Sequence, residues 1–101
     1  LVFFDETGNA SARSANTVYQ ESTDGWVIFE VTFGTSAGSK NLQFLTDGSN
    51  PPTTQLINHT GNGGSPEYSH VCVPVKKNNY WKVVPGSGMV AISNLYFISL
   101  S

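Results

Sequence analysis

The sequence predicts an all-β protein, an antiparallel β-sandwich of jelly-roll type with about eight short strands. Three observations carry that prediction. No segment holds helical periodicity, whereas apolar and polar residues alternate at period two in several runs. Ten Gly and five Pro interrupt the 101 residues, the spacing of short strands joined by turns. The runs between them are rich in Val, Ile, Thr, Tyr, Phe and Trp, which suit a pleated, half-buried surface.

The elements follow in chain order. Leu1–Phe4 is apolar and uncharged and reads as a first strand. Residues 5–16 are rich in Ser, Ala and Asn and read as a loop. Residues 17–21 form a short strand, and Ser22-Thr23-Asp24-Gly25 a turn whose Asp-Gly pair is a hairpin signal. Residues 26–33 are the clearest strand. Val27, Phe29, Val31 and Phe33 share the core face, and Trp26, Ile28, Glu30 and Thr32 the other.

Residues 34–40 make a turn, and 41–46 a strand with Leu42 and Phe44 on one face. Asp-Gly and Pro-Pro stop it within 47–52. Residues 53–58 form a strand and 60–66 a Gly-rich loop. Residues 67–75 form a strand in which Pro74, lacking a donor, marks a sheet edge or a bulge. Residues 80–84 are expected to pair back onto it across the basic turn Lys76-Lys77-Asn78-Asn79. In that strand Trp81 shares a face with Val83 and points inward, so Tyr80 and Lys82 point outward. After 85–88, residues 89–100 form the last strand, with Val90, Ile92, Asn94, Tyr96, Ile98 and Leu100 on one face.

A chain of this length is one domain and buries roughly two thirds of its unfolded surface. Charged residues are only 12% and the formal net charge is -2. Phosphate-backbone binding calls for a basic stripe and a high pI. Lys76, Lys77 and Lys82 give only a small basic spot, so no nucleic-acid partner is expected. No run of about 18 apolar residues is present, so no membrane insertion by a helix is expected. A neutral, hydroxyl- and amide-rich surface suits a hydroxyl-rich partner or another copy of the chain. An apolar edge such as Leu1–Phe4 is an aggregation hazard unless covered. Together with the low charge it points to a subunit interface. Because the chain starts at Leu1 and not Met, it is expected to be a processed product or the C-terminal piece of a longer protein.

The chemistry-bearing residues are sparse. Cys72 is the single cysteine and reads as a small buried hydrophobe, with His70 on the same strand face. His59 and His70 alone make no zinc spacing, and no metal or cofactor is expected. The carboxylates Asp5, Glu6, Glu21, Asp24, Glu30, Asp47 and Glu67 sit mainly in turns, where Asp bonds its own backbone. No pair among them is spaced for acid–base work. Asn9-Ala10-Ser11 and Asn58-His59-Thr60 match glycosylation acceptors. Aromatic side chains beside turns (Trp26, Tyr68, Tyr80, Trp81) could stack on sugars, although Trp in a small sandwich is more often core.

Ser22-Thr23-Asp24-Gly25-Trp26-Val27-Ile28-Phe29, then Val73-Pro74-Val75-Lys76-Lys77-Asn78-Asn79-Tyr80-Trp81-Lys82-Val83, and the terminal Leu95-Tyr96-Phe97-Ile98-Ser99-Leu100 together carry a resemblance. The chain resembles the C-terminal domains of phage tail-fibre and tail-tip proteins and of plasmid-encoded pilus-tip adhesins. Those domains tend to show an Asp-Gly turn before an apolar strand and a strand of the type VPVKKGDxYKV. Here Asn78-Asn79 replaces Gly-Asp, and Asn tolerates the left-handed conformation. Ser99 stands where a proline is frequent.

The resemblance implies a non-enzymatic recognition domain on a virion tail fibre or an extracellular appendage. It would act as a homotrimer and contact a bacterial surface glycan or outer-membrane receptor. The exposed segments 47–53, 59–68 and 76–80 are the expected contact loops, with Asp47, Asn50, His59, Asn62, Tyr68, Lys76, Lys77, Asn79 and Tyr80 as candidate ligand-binding residues. The rival readings are a stand-alone lectin, a purely structural trimerisation domain, and a carbohydrate-active enzyme or its binding module.

Overall fold

A computed structural model describes residues 10–34, 39–62, 67–86 and 90–100. It contains eight strands: β1 Ala10–Ala12, β2 Tyr19–Gln20, β3 Gly25–Phe33, β4 Ser39–Asp47, β5 Gln55–Asn62, β6 Glu67–Val75, β7 Tyr80–Pro85 and β8 Val90–Ser99. They form two four-stranded antiparallel sheets, ordered β1-β8-β3-β6 and β2-β7-β4-β5. β1 therefore pairs with β8, β2 with β7, β3 with β6 and β4 with β5. The chain is folded on itself like a long hairpin and then rolled, which is the jelly-roll arrangement.

The inner row is the one that alternation on β3 predicts. Val27, Phe29, Val31 and Phe33 are buried, and they meet Leu42, Phe44, Val73, Val75, Trp81, Val83, Leu95 and Phe97 between the sheets. Trp81 is fully buried and stacks between Tyr19 (ring centroids 4.9 Å) and Phe44 (5.7 Å). Such pairs add about 0.5–1.5 kcal/mol beyond their buried area. β6 bonds only β3, so Pro74 lies on an edge strand as its missing donor requires.

Five expectations change. First, the turn at 76–79 does not close a hairpin. β6 belongs to one sheet and β7 to the other, so the turn is an arch across the sandwich. Val73 and Val75 on one strand and Trp81 and Val83 on the other meet in the core from opposite sheets. Second, the Asp24-Gly25 turn is likewise an arch, from β2 to β3. Among the described residues, β4 and β5 are the one pair of consecutive strands that bond directly.

Third, β8 does not keep one face from Val90 to Leu100. Its register against β3 shifts between Ile28 and Glu30, where Asn94 adopts φ 54. The bulge inserts one residue. Ile92 packs on the core before it, and Leu95 and Phe97 are buried after it, so Tyr96 faces outward. Fourth, β1 lies within the expected loop at 5–16. The strand expected at Leu1–Phe4 lies outside the described residues, as do residues 35–38, 63–66 and 87–89 of the expected turns. Fifth, β5 runs to Asn62, so its expected end at residue 58 is too early.

Candidate functional site at the arch end of the sandwich

Rolled topology sorts the connections into two ends. The β2–β3 arch, the β4–β5 loop and the β6–β7 arch share one end. Asp47 pairs with Tyr80, the Gly48 backbone lies beside Asn79, and the Lys77 N–H donates to Asp24 Oδ1 at 2.7 Å. The end of β8 joins them, because the Leu100 N–H donates to the Asp24 carbonyl at 3.0 Å. Ala10 pairs with Ile98 and so also stands near this end.

Of the candidate ligand-binding residues, Asp47, Asn50, Lys76, Lys77, Asn79 and Tyr80 are thus brought together. Asn62 ends β5 and Tyr68 is the second residue of β6, both toward the opposite end, and His59 lies within β5 opposite Leu42. The side chains of His59 and Asn62 lie outside the described groups. Tyr68 is 73% exposed.

The β4–β5 loop is built by a side chain of its own, and the β6–β7 arch by backbone bonds and groups of the neighbouring arch. Asp47 Oδ2 accepts the backbone N–H groups of Thr53 (2.9 Å) and Thr54 (2.8 Å), and Oδ1 that of Ser49 (2.8 Å). These bonds, Thr53 first and then Ser49, hold its carboxyl well below the usual carboxylate range. Asp47 therefore shapes the β4–β5 loop, which carries a cis bond between Asn50 and Pro51. In the β6–β7 arch the Asn79 N–H donates to the Lys76 carbonyl at 3.0 Å, and Asn78 takes φ 70. That turn requires a positive φ at its third residue, and Asn supplies it in place of glycine.

Beneath the arches lies a buried polar knot that the sequence does not announce. Glu21 is 6% exposed. Its carboxylate accepts Arg13 Nε (3.1 Å), Arg13 Nη2 (2.9 Å) and the Trp81 indole Nε1–H (2.9 Å). The Arg13 guanidinium lies 5.1 Å from the Tyr19 ring centroid and 5.9 Å from that of Phe97. Its bond to Glu21 raises its pKa further. The Glu21 carbonyl accepts the Asn78 N–H at 2.8 Å and so seats the β6–β7 arch. Arg13 sits in a polar stretch that reads as loop, and nothing in residue spacing couples it to Glu21 or Trp81.

Between the arches opens a cleft of about 360 Å³. Trp26, Pro74 and Leu100 supply apolar walls, and Asp24, Lys76 and Asn79 supply charge and amide groups. Trp26 is half-buried on the outer face of β3, directly opposite Pro74. An aromatic plane beside a carboxylate, an amide and an ammonium can stack on one face of a polar ring and hydrogen-bond its edge. Among the cleft residues that loop exposure alone does not select are Trp26 and Asp24. Their signal was the Asp-Gly-Trp sequence at the start of β3.

Cys72 is exposed on the outer face of β6, against the expectation of burial. Val71, Val73 and Val75 take the inward positions, which leaves Cys72 with His70 and Pro74 outside. What burial it has pushes the thiol pKa up. Among the described residues no group of three or more His, Cys, Asp or Glu side chains could hold a metal ion. No protein-family model, curated protein or solved structure matches the chain.

Proposed function

We propose that this chain is a non-enzymatic recognition domain of the fibre-tip type, working as a homotrimer on a virion tail fibre or extracellular appendage. It would engage a bacterial surface glycan or outer-membrane receptor through the cleft at the arch end. The observation that carries this reading is the cleft itself, where Trp26 stands beside Asp24, Lys76 and Asn79. The deployment of the acidic groups supports binding over catalysis. Glu21, Asp24, Glu30 and Asp47 each accept hydrogen bonds that hold the fold. Several weak cleft contacts on one assembly add up by avidity.

The test is binding of the labelled protein to an array of bacterial surface glycans and to whole cells. Trp26→Ala should abolish binding, with the solution mass and circular dichroism unchanged. Retained binding by a folded Trp26→Ala protein would move the site elsewhere. Hydrolysis of a bound polysaccharide would overturn the non-enzymatic reading.

A further inference from the structure

We infer that the cleft is one half of a two-part site for an acidic glycan of at least two linked units, with Lys76 meeting a carboxylate or phosphate group in one half and Lys77 in the other. This rests on the cleft of the proposed function and names the class of glycan it takes.

The second half is a hollow of about 310 Å³, lined by Ser22, Thr23, Asp24, Lys77 and Leu100. It shares Asp24 and Leu100 with the first, so the two hollows adjoin at those side chains. Each alone stands at the small end of ligand sites, which span roughly 300–1,000 Å³. Two adjoining hollows suit two linked rings.

The backbone around both hollows is tied down. The Leu100 N–H donates to the Asp24 carbonyl at 3.0 Å, and the Thr23 and Ser99 hydroxyls bond at 2.9 Å. In the β6–β7 arch the Lys77 N–H donates to Asp24 Oδ1, the Asn78 N–H to the Glu21 carbonyl and the Asn79 N–H to the Lys76 carbonyl. Two consecutive lysines project from that fixed arch, and each lines a different hollow. A site held in place before its ligand arrives loses less freedom on binding.

Charge names the ligand. Among the described residues the ion pairs are Arg13–Glu21 and His70–Glu30, so neither Lys76 nor Lys77 is paired with a carboxylate. The nearby carboxylates serve the backbone instead. Asp47 accepts from Ser49, Thr53 and Thr54, and Asp24 Oδ1 accepts from Lys77. Two of the five cationic side chains of a chain with net charge -2 therefore face these hollows uncompensated. Solvated lysines are common on any surface. These two stand apart because each borders a preformed hollow that also holds sugar-binding groups. Trp26 offers a ring face in the first hollow, and the Ser22 hydroxyl a bond in the second. At the junction Leu100, 56% exposed, offers an apolar surface to C–H groups. Ammonium bonds to carboxylate or phosphate are roughly twice as strong as neutral ones.

The experiment is titration calorimetry at fixed ionic strength with galacturonic acid oligomers of one, two and three units. The same oligomers with their carboxyls reduced to alcohols, and a phosphorylated hexose disaccharide, are the comparison ligands. The proteins are the wild type, Lys76→Gln, Lys77→Gln, Trp26→Ala and, on the outer face of the other sheet, Lys82→Gln, each checked by circular dichroism. Glutamine at 77 keeps the backbone bond to Asp24, so the arch is retained. The affinity of the wild type should rise about tenfold from one unit to two and level off at three, and fall about tenfold when the carboxyls are reduced. Lys77→Gln should erase the gain from the second unit, Lys76→Gln should weaken the acidic monomer, and Lys82→Gln should match the wild type. Tight binding of either acidic disaccharide upholds the inference, and the tighter of the two says whether the site takes carboxylate or phosphate. Binding that needs Trp26 but is equal for acidic and reduced oligomers, or does not grow from one unit to two, overturns the inference and leaves the cleft standing. If no acidic probe binds, the acidic class is wrong, and the glycan array with Trp26→Ala decides separately whether the cleft is a receptor site at all.

Discussion

Glu21→Ala is the perturbation that most directly probes what holds the arch end together. Truncation removes the acceptor of the Trp81 indole N–H, and Trp81 is fully buried. A buried donor left without a partner costs about 1–3 kcal/mol. It also strands the Arg13 guanidinium. Breaking a fully buried ion pair costs about 3–5 kcal/mol, but the Arg13 side chain is 21% exposed and can regain water, so a smaller share applies. Together about 3 kcal/mol is expected, out of roughly 5–15 kcal/mol for a domain of this size. With an unfolding entropy of about 2.1 cal/mol/K per residue, that lowers Tm by about 14 °C. Thermal unfolding followed by near-UV circular dichroism, at fixed protein concentration, measures it. A double-mutant cycle with Trp81→Phe isolates the indole contribution, because phenylalanine has no N–H to orphan. Glu21→Ala should cost about 1–3 kcal/mol less in that background. A Tm change under 2 °C, or an equal cost in both backgrounds, would refute the knot as a structural clamp.

Two further perturbations follow from the same geometry. Gly25→Ala should destabilise the fold by several degrees of Tm in thermal melts, because a Cβ on Gly25 would overlap the Ile98 carbonyl and the Phe97 ring; an unchanged Tm would show that β8 is not so close to β3 there. Asp47→Asn should lower Tm at pH 7 and flatten its acid dependence. Since the folded carboxyl titrates below its ordinary value of 3.8, its contribution is complete above about pH 4 and fades as pH falls through the folded value. The wild type should therefore lose its advantage over the variant below pH 4, and parallel Tm curves down to pH 2 would contradict the loop-anchoring role.

The core was legible in the sequence wherever alternation was unbroken. β3 reads straight off Val27, Phe29, Val31 and Phe33, and the inward turn of Trp81 follows from Val83. β8 is not legible past Asn94 because a bulge reverses the face, and alternation cannot signal an inserted residue. The arches at 22–25 and 76–79 read as hairpins in the sequence for a different reason. A tight turn specifies its own dihedral angles but not whether the flanking strands bond each other or part into two sheets. That choice is made by Trp81, Phe44 and Tyr19, which are distant in sequence. The same separation hid the Arg13–Glu21–Trp81 knot. At the candidate site, turn chemistry marked the loops, and only the rolled topology divided them between two ends. Asp47 looked like a ligand-facing residue because it is polar and in a turn, yet its oxygens are occupied by Ser49, Thr53 and Thr54.

The placement of β8 between β1 and β3 also governs how the chain meets the cell that makes it. Ala10 waits for Ile98, and β3 waits for residues 90–99 before both of its edges are paired. From Phe33 to Ser99 is 66 residues, so at a synthesis rate of about 5–20 residues per second one edge of β3 stays open for roughly 3–13 s. During that time Val27 to Phe33 is an apolar strand with an unsatisfied ladder, the kind that recruits neighbours on a crowded polysome. Slow translation or a nascent chain lacking β8 should therefore show up first as insoluble protein.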